Sequence, residues 1–172
     1  MLKNIVKLIN GLEYRKLETE ADAITDADIN EFGMVIIRNN ELLAVNGLAI
    51  AMAGMLQFDN KENYVPMIVV DDRFMEMSDN GKMFTIAHEM GHFNLHATEE
   101  KMFNTEYTRD INDEFEADEY AAKQIGYQSA IFGLEELQEV LDIDSNGENV
   151  EGIEEMEIRI NHLFDICNTV TC

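Results

Sequence analysis

The sequence predicts an α+β fold, a small antiparallel sheet followed by a helical half that carries the active-site helix. Two observations point there. Short apolar runs broken by polar turns fill the chain up to Val70, as strands do. From Ser78-Asp79-Asn80-Gly81 onward, apolar residues recur at intervals of three and four, as on one-sided helices. Strands first and helices afterwards is the α+β order, not an alternating one. A length of 172 residues with 46% hydrophobic and 27% charged content suits one globular domain over residues 1–172.

At the N-terminus, Leu2, Ile5, Val6, Ile9 and Leu12 are spaced by three and four, so this segment reads as an amphipathic helix. Lys7, Asn10 and Glu13 interrupt it, so it lacks the continuous apolar region of a secretion signal. Thr25-Asp26-Ala27-Asp28 supplies cap-type residues for a short helix ending near Gly33. Residues 34–38 and 42–45 form a candidate strand pair across Asn39-Asn40, which tolerate tight turns. Residues 49–58 and 64–70 form a second pair, joined by the polar stretch 59–63. The Ala/Met/Gly-rich stretch 49–55 fits a buried helix equally well, and periodicity alone does not decide. Helices are expected near 82–96, 109–125, 128–142 and 150–167.

Charge narrows the function. Twelve Lys and Arg stand against 35 Asp and Glu, a net charge of −23. Nucleic-acid binding needs clustered cations on phosphates, and anionic lipid needs the same. Both partners are therefore excluded. The longest nearly apolar stretch, 42–58, contains Asn46, Gly47, Gly54 and Gln57, and falls short of the roughly 18–20 apolar residues of a membrane span. Cys167 and Cys172 both sit in the last six residues, so no disulfide framework runs through the fold. The expectation is a soluble, cytoplasmic protein.

His88-Glu89-Met90-Gly91-His92 carries the chemistry. On a helix, two His four residues apart share a face and can hold one metal, with neutral imidazole nitrogens suited to zinc. Glu89 lies one residue, roughly 100°, round from His88, where it can reach a water on the metal without being a ligand. Gly91 costs roughly 1 kcal/mol of helix propensity against Ala, which points to something packed tightly on that face. A catalytic zinc needs a third protein ligand, and 113–122 offers carboxylates. Glu114 and Asp118 are one turn apart on a helix, so Glu114 can ligate while Asp118 takes a hydrogen bond from a ligand His. Glu116, about 200° round from Glu114, cannot face the same metal. Ala117 and Ala121 are small where two helices would approach closely. His96, four residues after His92, competes as third ligand. Successive steps of four drift by roughly 40°, however, and no helix-breaking Gly intervenes. His96 is read as a polar residue near the helix end, facing the C-terminal dipole.

These residues resemble a family. FTIAHEMGHFNLH (84–96) followed by EFEADEYAA (114–122) resembles the gluzincin zinc metallopeptidases, with weaker support from Arg159-Ile160. The HExxHxxLH run is similar to the ImmA/IrrE family, often encoded by mobile elements and phages. The E-F-x-A-D run looks more like soluble minigluzincins and HtpX-type proteases. Asn94 stands where such motifs carry an apolar residue, and Asp118 replaces the Asn common in ImmA/IrrE proteins. The resemblance implies a zincin-like fold, zinc on His88, His92 and Glu114, Glu89 as general base and Asp118 behind a ligand. It also implies a protein or peptide substrate, of repressor type if the ImmA/IrrE likeness holds.

The expected activity is zinc-dependent peptide hydrolysis, with a zinc-bound water activated by Glu89. The alternative is an inactive metalloprotease-like protein acting as a binding or regulatory module, which need not keep Glu89. Residues 65–70 are expected to be the sheet edge that pairs with an extended substrate. Tyr107, Tyr120 and His162 are candidate electrophiles, each also readable as a packing or surface residue. Asp142-Ile143-Asp144-Ser145-Asn146-Gly147 matches the first half of a calcium loop, but Ile153 stands where the twelfth position needs a bidentate Glu. It reads as a polar connection between helices.

Overall fold

Val35, Ile36 and Ile37, with Ile68, Val69 and Val70 of the next strand, are all buried, a run that only a strand covered on both faces allows. The computed structural model describes residues 15–16, 33–40, 43, 50–57, 64–96, 110–145 and 150–170. Its strands are β1 (Arg15–Lys16), β2 (Val35–Arg38), β3 (Ala51–Gln57) and β4 (Tyr64–Val70), in the sheet order β1-β2-β4-β3. Side chains alternate across the sheet. Ile36, Ile68 and Val70 pack with Phe74 and Ile86 on one face, and Val35, Ile37 and Val69 pack with Leu43 on the other.

The sheet is mixed, which corrects the expected antiparallel one: β1 runs parallel to β2, β2 runs parallel to β4, and only β3 is antiparallel to β4. Of the expected pairing of 34–38 with 42–45, Leu43 is helical, as is Asn40 of the turn, while 42, 44 and 45 lie outside the described residues; the described neighbours of β2 are β1 and β4. The second pair does form, and 51–57 is a strand rather than a helix, matched from Ala51 on Val70 to Gln57 on Tyr64. Pro66 pairs only on the β3 side, since the β2 ladder begins at Met67. A residue without an N–H fits where a strand has one neighbour. β4 is thus internal, and residues 65–70 are not the sheet edge. Among the described strands the outer ones are β1 and β3.

The helical half follows as α1 (Asp72–Glu76), α2 (Asp79–His96), α3 (Ile111–Ile125), α4 (Tyr127–Ser145) and α5 (Val150–Val170). The four longer helices lie within a few residues of their expected places, because their caps are written locally. Asp110 accepts from the N–H groups of Asn112 and Asp113 at 2.7 and 3.1 Å and starts α3. Ser78 Oγ accepts from Gly81 N at 3.2 Å. Glu136 of α4 in turn accepts from Ser78 N at 2.6 Å, which ties the start of α2 to a neighbouring helix. The N-terminal helix and the short helix before Gly33 lie outside the described residues. Of the calcium-like loop, 142–145 belong to α4 and 150–153 to α5, and 146–149 are outside the description.

Phe84, Leu134 and Leu163 are fully buried where α2, α4 and α5 meet, each contributing about 1.5–3 kcal/mol of apolar transfer. Ala87, Ala121 and Ala122 fill the same core with little bulk. That smallness lets α3 lie close against α2. A Cβ on Gly91 would sit 2.9 Å from Ala117 Cα and 3.1 Å from its carbonyl oxygen, nearer than carbon atoms tolerate. Gly91→Ala therefore gains about 1 kcal/mol of helix propensity but overpacks the crossing. A net loss of about 1–2 kcal/mol is expected in denaturant unfolding; an unchanged or raised midpoint would show the helices further apart.

Candidate metal centre

Most of α2 is buried, including His88, Glu89, His92 and His96, and a polar side chain inside a protein must find partners. The spacing of four stacks the three imidazoles along one face. His88 and His92 have ring centroids 4.6 Å apart, edge to face, and their Nε2 atoms are 3.0 Å apart. α3 brings Glu114 to the same point. Its Oε2 lies 3.2 Å from His88 Nε2 and its Oε1 3.4 Å from His92 Nε2. The Gly91–Ala117 contact makes this approach possible, since Ala117 is one turn after Glu114.

Asp118, fully buried, holds His88 from behind, with Oδ1 2.8 Å from Nδ1. Arg159 of α5 grips Asp118 through two contacts, Nε to Oδ2 and Nη2 to Oδ1, both 2.8 Å. Its Nη1 also lies 3.2 Å from Glu114 Oε2. Arg159 is buried, so this cation joins the presumed ligand and the carboxylate that orients the other. Sequence reasoning gave Arg159 no such role. Its signals were weaker support for the resemblance through Arg159-Ile160 and its place as the one Arg in an otherwise acidic final helix.

Charges shift accordingly. Burial opposes the imidazolium of His88, but the Asp118 and Glu114 carboxylates outweigh it and push the group up to about 9. Burial also opposes ionisation of Glu114, yet His88, His92 and Arg159 hold it well below the usual carboxylate range. Asp118 is lowered as well: Arg159 and His88 overcome its burial. Arg159, against its own desolvation, is raised by Asp118 and Glu114.

Three observations bear on whether a metal fits. Three N/O donors with edges of 3.0, 3.2 and 3.4 Å match a tetrahedral zinc, whose donors about 2.0–2.1 Å away stand about 3.3 Å apart. His88 gives its Nδ1 to Asp118, so a neutral His88 turns a bare Nε2 lone pair toward His92 and Glu114, where a cation can take it. Finally, Glu89 Oε2 is buried with no hydrogen-bond partner among the described residues, as is Thr85 Oγ1 one turn earlier. Such orphans cost about 1–3 kcal/mol each unless water or substrate completes them. The residues fit zinc.

His96 closes α2, at the helix end where it was expected. It is buried, with Nδ1 3.0 Å from His92 Nδ1 and Nε2 2.9 Å from Glu116 Oε2. Asp113 Oδ1 lies 3.5 Å from the same Nε2, so His96, Asp113 and Glu116 form a second group with metal-type donors. Glu116 faces away from Glu114's partners, as the helix angle requires. Asn94, the departure from the apolar pattern, bonds Met90 O and Tyr120 Oη at 2.6 and 3.2 Å. His162 bonds Glu119 at 3.2 Å and stacks on Phe115. Tyr120 and His162 are thus engaged with other partners, and Tyr107 lies outside the described residues.

Residues 30–133 match the Peptidase_M78 family model, the IrrE N-terminal-like domain. Neither the curated proteins nor the solved structures give a match. No helix among the described residues is long and apolar enough to cross a membrane. The matched segment holds His88, His92, Glu114 and Asp118 but ends before Arg159.

The charge balance predicts a pH response. Below pH 6.5 His88 is protonated in both folded and unfolded chelator-treated protein, and its pairing with Asp118 and Glu114 stabilises fully. That contribution is lost as pH rises through about 9, so the melting temperature falls across this interval. Stabilisation by added zinc grows across it, since zinc needs the deprotonated ring. A flat melting profile in chelator would contradict the network. Arg159→Leu, which leaves Asp118 buried and uncompensated, is expected to cost about 3–5 kcal/mol in denaturant unfolding; a loss below 1 kcal/mol would refute the pairing.

Proposed function

The chain belongs to the Peptidase_M78 family of IrrE N-terminal-like domains, and from that premise we propose that it is a zinc-dependent metallopeptidase. The observation that carries the proposal is the convergence of His88, His92 and Glu114 beside a helix position where Glu89 keeps an unpaired buried oxygen. His88, His92 and Glu114 would hold the zinc. When bound, it would lower the pKa of a water at the site toward neutrality and polarise the scissile carbonyl.

The remaining work falls to the chain. Glu89 takes a proton from the attacking water at its free Oε2 and returns it to the leaving amine. Asp118 accepts the Nδ1 proton of His88, which keeps the Nε2 lone pair directed at the site. Arg159 holds Asp118 and Glu114 ionised and in place. The extended substrate pairs with β3, one of the two outer strands among the described residues and the one antiparallel to its neighbour.

The substrate class is a protein or peptide. The resemblance to ImmA/IrrE proteins points to a repressor-type protein as partner and to a cytoplasmic setting. The net charge of −23 favours a basic segment at the cleavage site. Retention of Glu89 argues against an inactive binding module, since a scaffold has no use for a buried unpaired carboxylate.

Metal content and cleavage of an unstructured protein test the reading together. Glu89→Gln should bind one zinc per chain and lose turnover by three orders of magnitude or more, while Glu114→Ala should lose the zinc. Cleavage by Glu89→Gln at the wild-type rate would sink the assignment of the base. Wild-type protein without stoichiometric zinc would sink the metal centre.

A further inference from the structure

The two presumed ligand imidazoles are secured from behind in different ways. His88 Nδ1 meets a carboxylate directly, at 2.8 Å from Asp118. His92 Nδ1 meets another imidazole, at 3.0 Å from His96 Nδ1. We infer that His96 is a positioning residue for His92, the middle link of a His92–His96–Glu116 chain that fixes which nitrogen of His92 faces the site. The inference rests on the metal-centre reading above.

Proton bookkeeping carries it. Two ring nitrogens 3.0 Å apart must have one proton between them, since two lone pairs or two N–H groups would repel. A carboxylate only accepts, so Glu116 Oε2, 2.9 Å from His96 Nε2, requires a proton on that nitrogen. Where that is the ring's single proton, the His96 Nδ1 is bare and accepts. His92 must therefore donate from Nδ1, which leaves its Nε2 lone pair turned toward His88 Nε2 and Glu114. Asp113 Oδ1, 3.5 Å from the same His96 nitrogen, adds negative potential on that side. Burial of both rings keeps water from offering alternatives.

The spacing of four between His92 and His96 serves this arrangement. It sets the third ring one turn along, with the His92 and His96 centroids 5.2 Å apart. His96 thus reaches the outer nitrogen of His92 rather than the metal position. The same spacing that disfavours His96 as a third ligand suits it to support the second.

The test uses the full chain. Imidazole 15N shifts of the zinc-free wild type report the tautomer of His92, and chelator competition reports zinc affinity. Wild-type His92 is expected as the Nδ1–H tautomer. His96→Leu should weaken zinc by about tenfold to a hundredfold. His96→Asn, whose side-chain oxygen stands near the place of Nδ1 as an acceptor, should recover most of that loss. His92 found as the Nε2–H tautomer overturns the inference without any variant having to fold. So does a folded His96→Leu protein with wild-type affinity, or an Asn variant no better than Leu. A second zinc equivalent lost in His96→Leu also overturns it and assigns His96, Asp113 and Glu116 to a metal site of their own. Wild-type protein that binds no zinc defeats the metallopeptidase reading, and the His92 tautomer then decides this inference separately.

Discussion

Where α2 and α3 cross, Ala117 lies so close to Gly91 that a methyl group on the glycine would sit 2.9 Å from its Cα. The metal-type donors depend on that crossing. Glu114 and Asp118 lie on either side of Ala117 in sequence, and His88 and His92 on either side of Gly91. Bringing the two small residues together brings the carboxylates onto the imidazoles. A bulkier residue at either position would separate them by about an ångström or more, enough to break hydrogen bonds that weaken steeply beyond about 3.2 Å.

The crossing concentrates charge in a dry place, and α5 makes that tolerable. Asp118 and Glu114 together bring two negative charges, and Arg159 supplies one positive. The balance is one negative, which a proton on His88 neutralises and a cation among the donors would offset. A proton and a metal ion would compete for the same position, which would link metal affinity and stability to the same pH interval. Isolated carboxylates buried without Arg159 would take up protons instead of ligating.

The sheet contributes orientation more than chemistry. Its face with Ile36, Ile68 and Val70 packs on Ile86, two residues before His88, so the strands and the site helix are held by one core. The antiparallel β3, one of the two outer strands among the described residues, lies beside that helix.

Much of this was legible in the sequence. The HExxH spacing, the Glu114–Asp118 turn and the small residues at 91 and 117 are local patterns, and helical periodicity converts them directly into faces and positions. Sheet order was not legible, because apolar runs record burial but not which strand is the neighbour or its direction. The strand at 64–70 therefore looked like an edge and proved internal. Arg159 lies 41 residues from Asp118, and a lone cation on an acidic helix carries no mark of the partner it will meet. For His96, helix spacing told which face it shares and that it closes the helix, while its contact with Glu116 depends on α3 arriving. By itself the sequence determined which residues can act together within one helix, since the backbone sets those distances. Tertiary structure alone decided which helices and strands meet, because those contacts depend on packing between segments far apart in the chain.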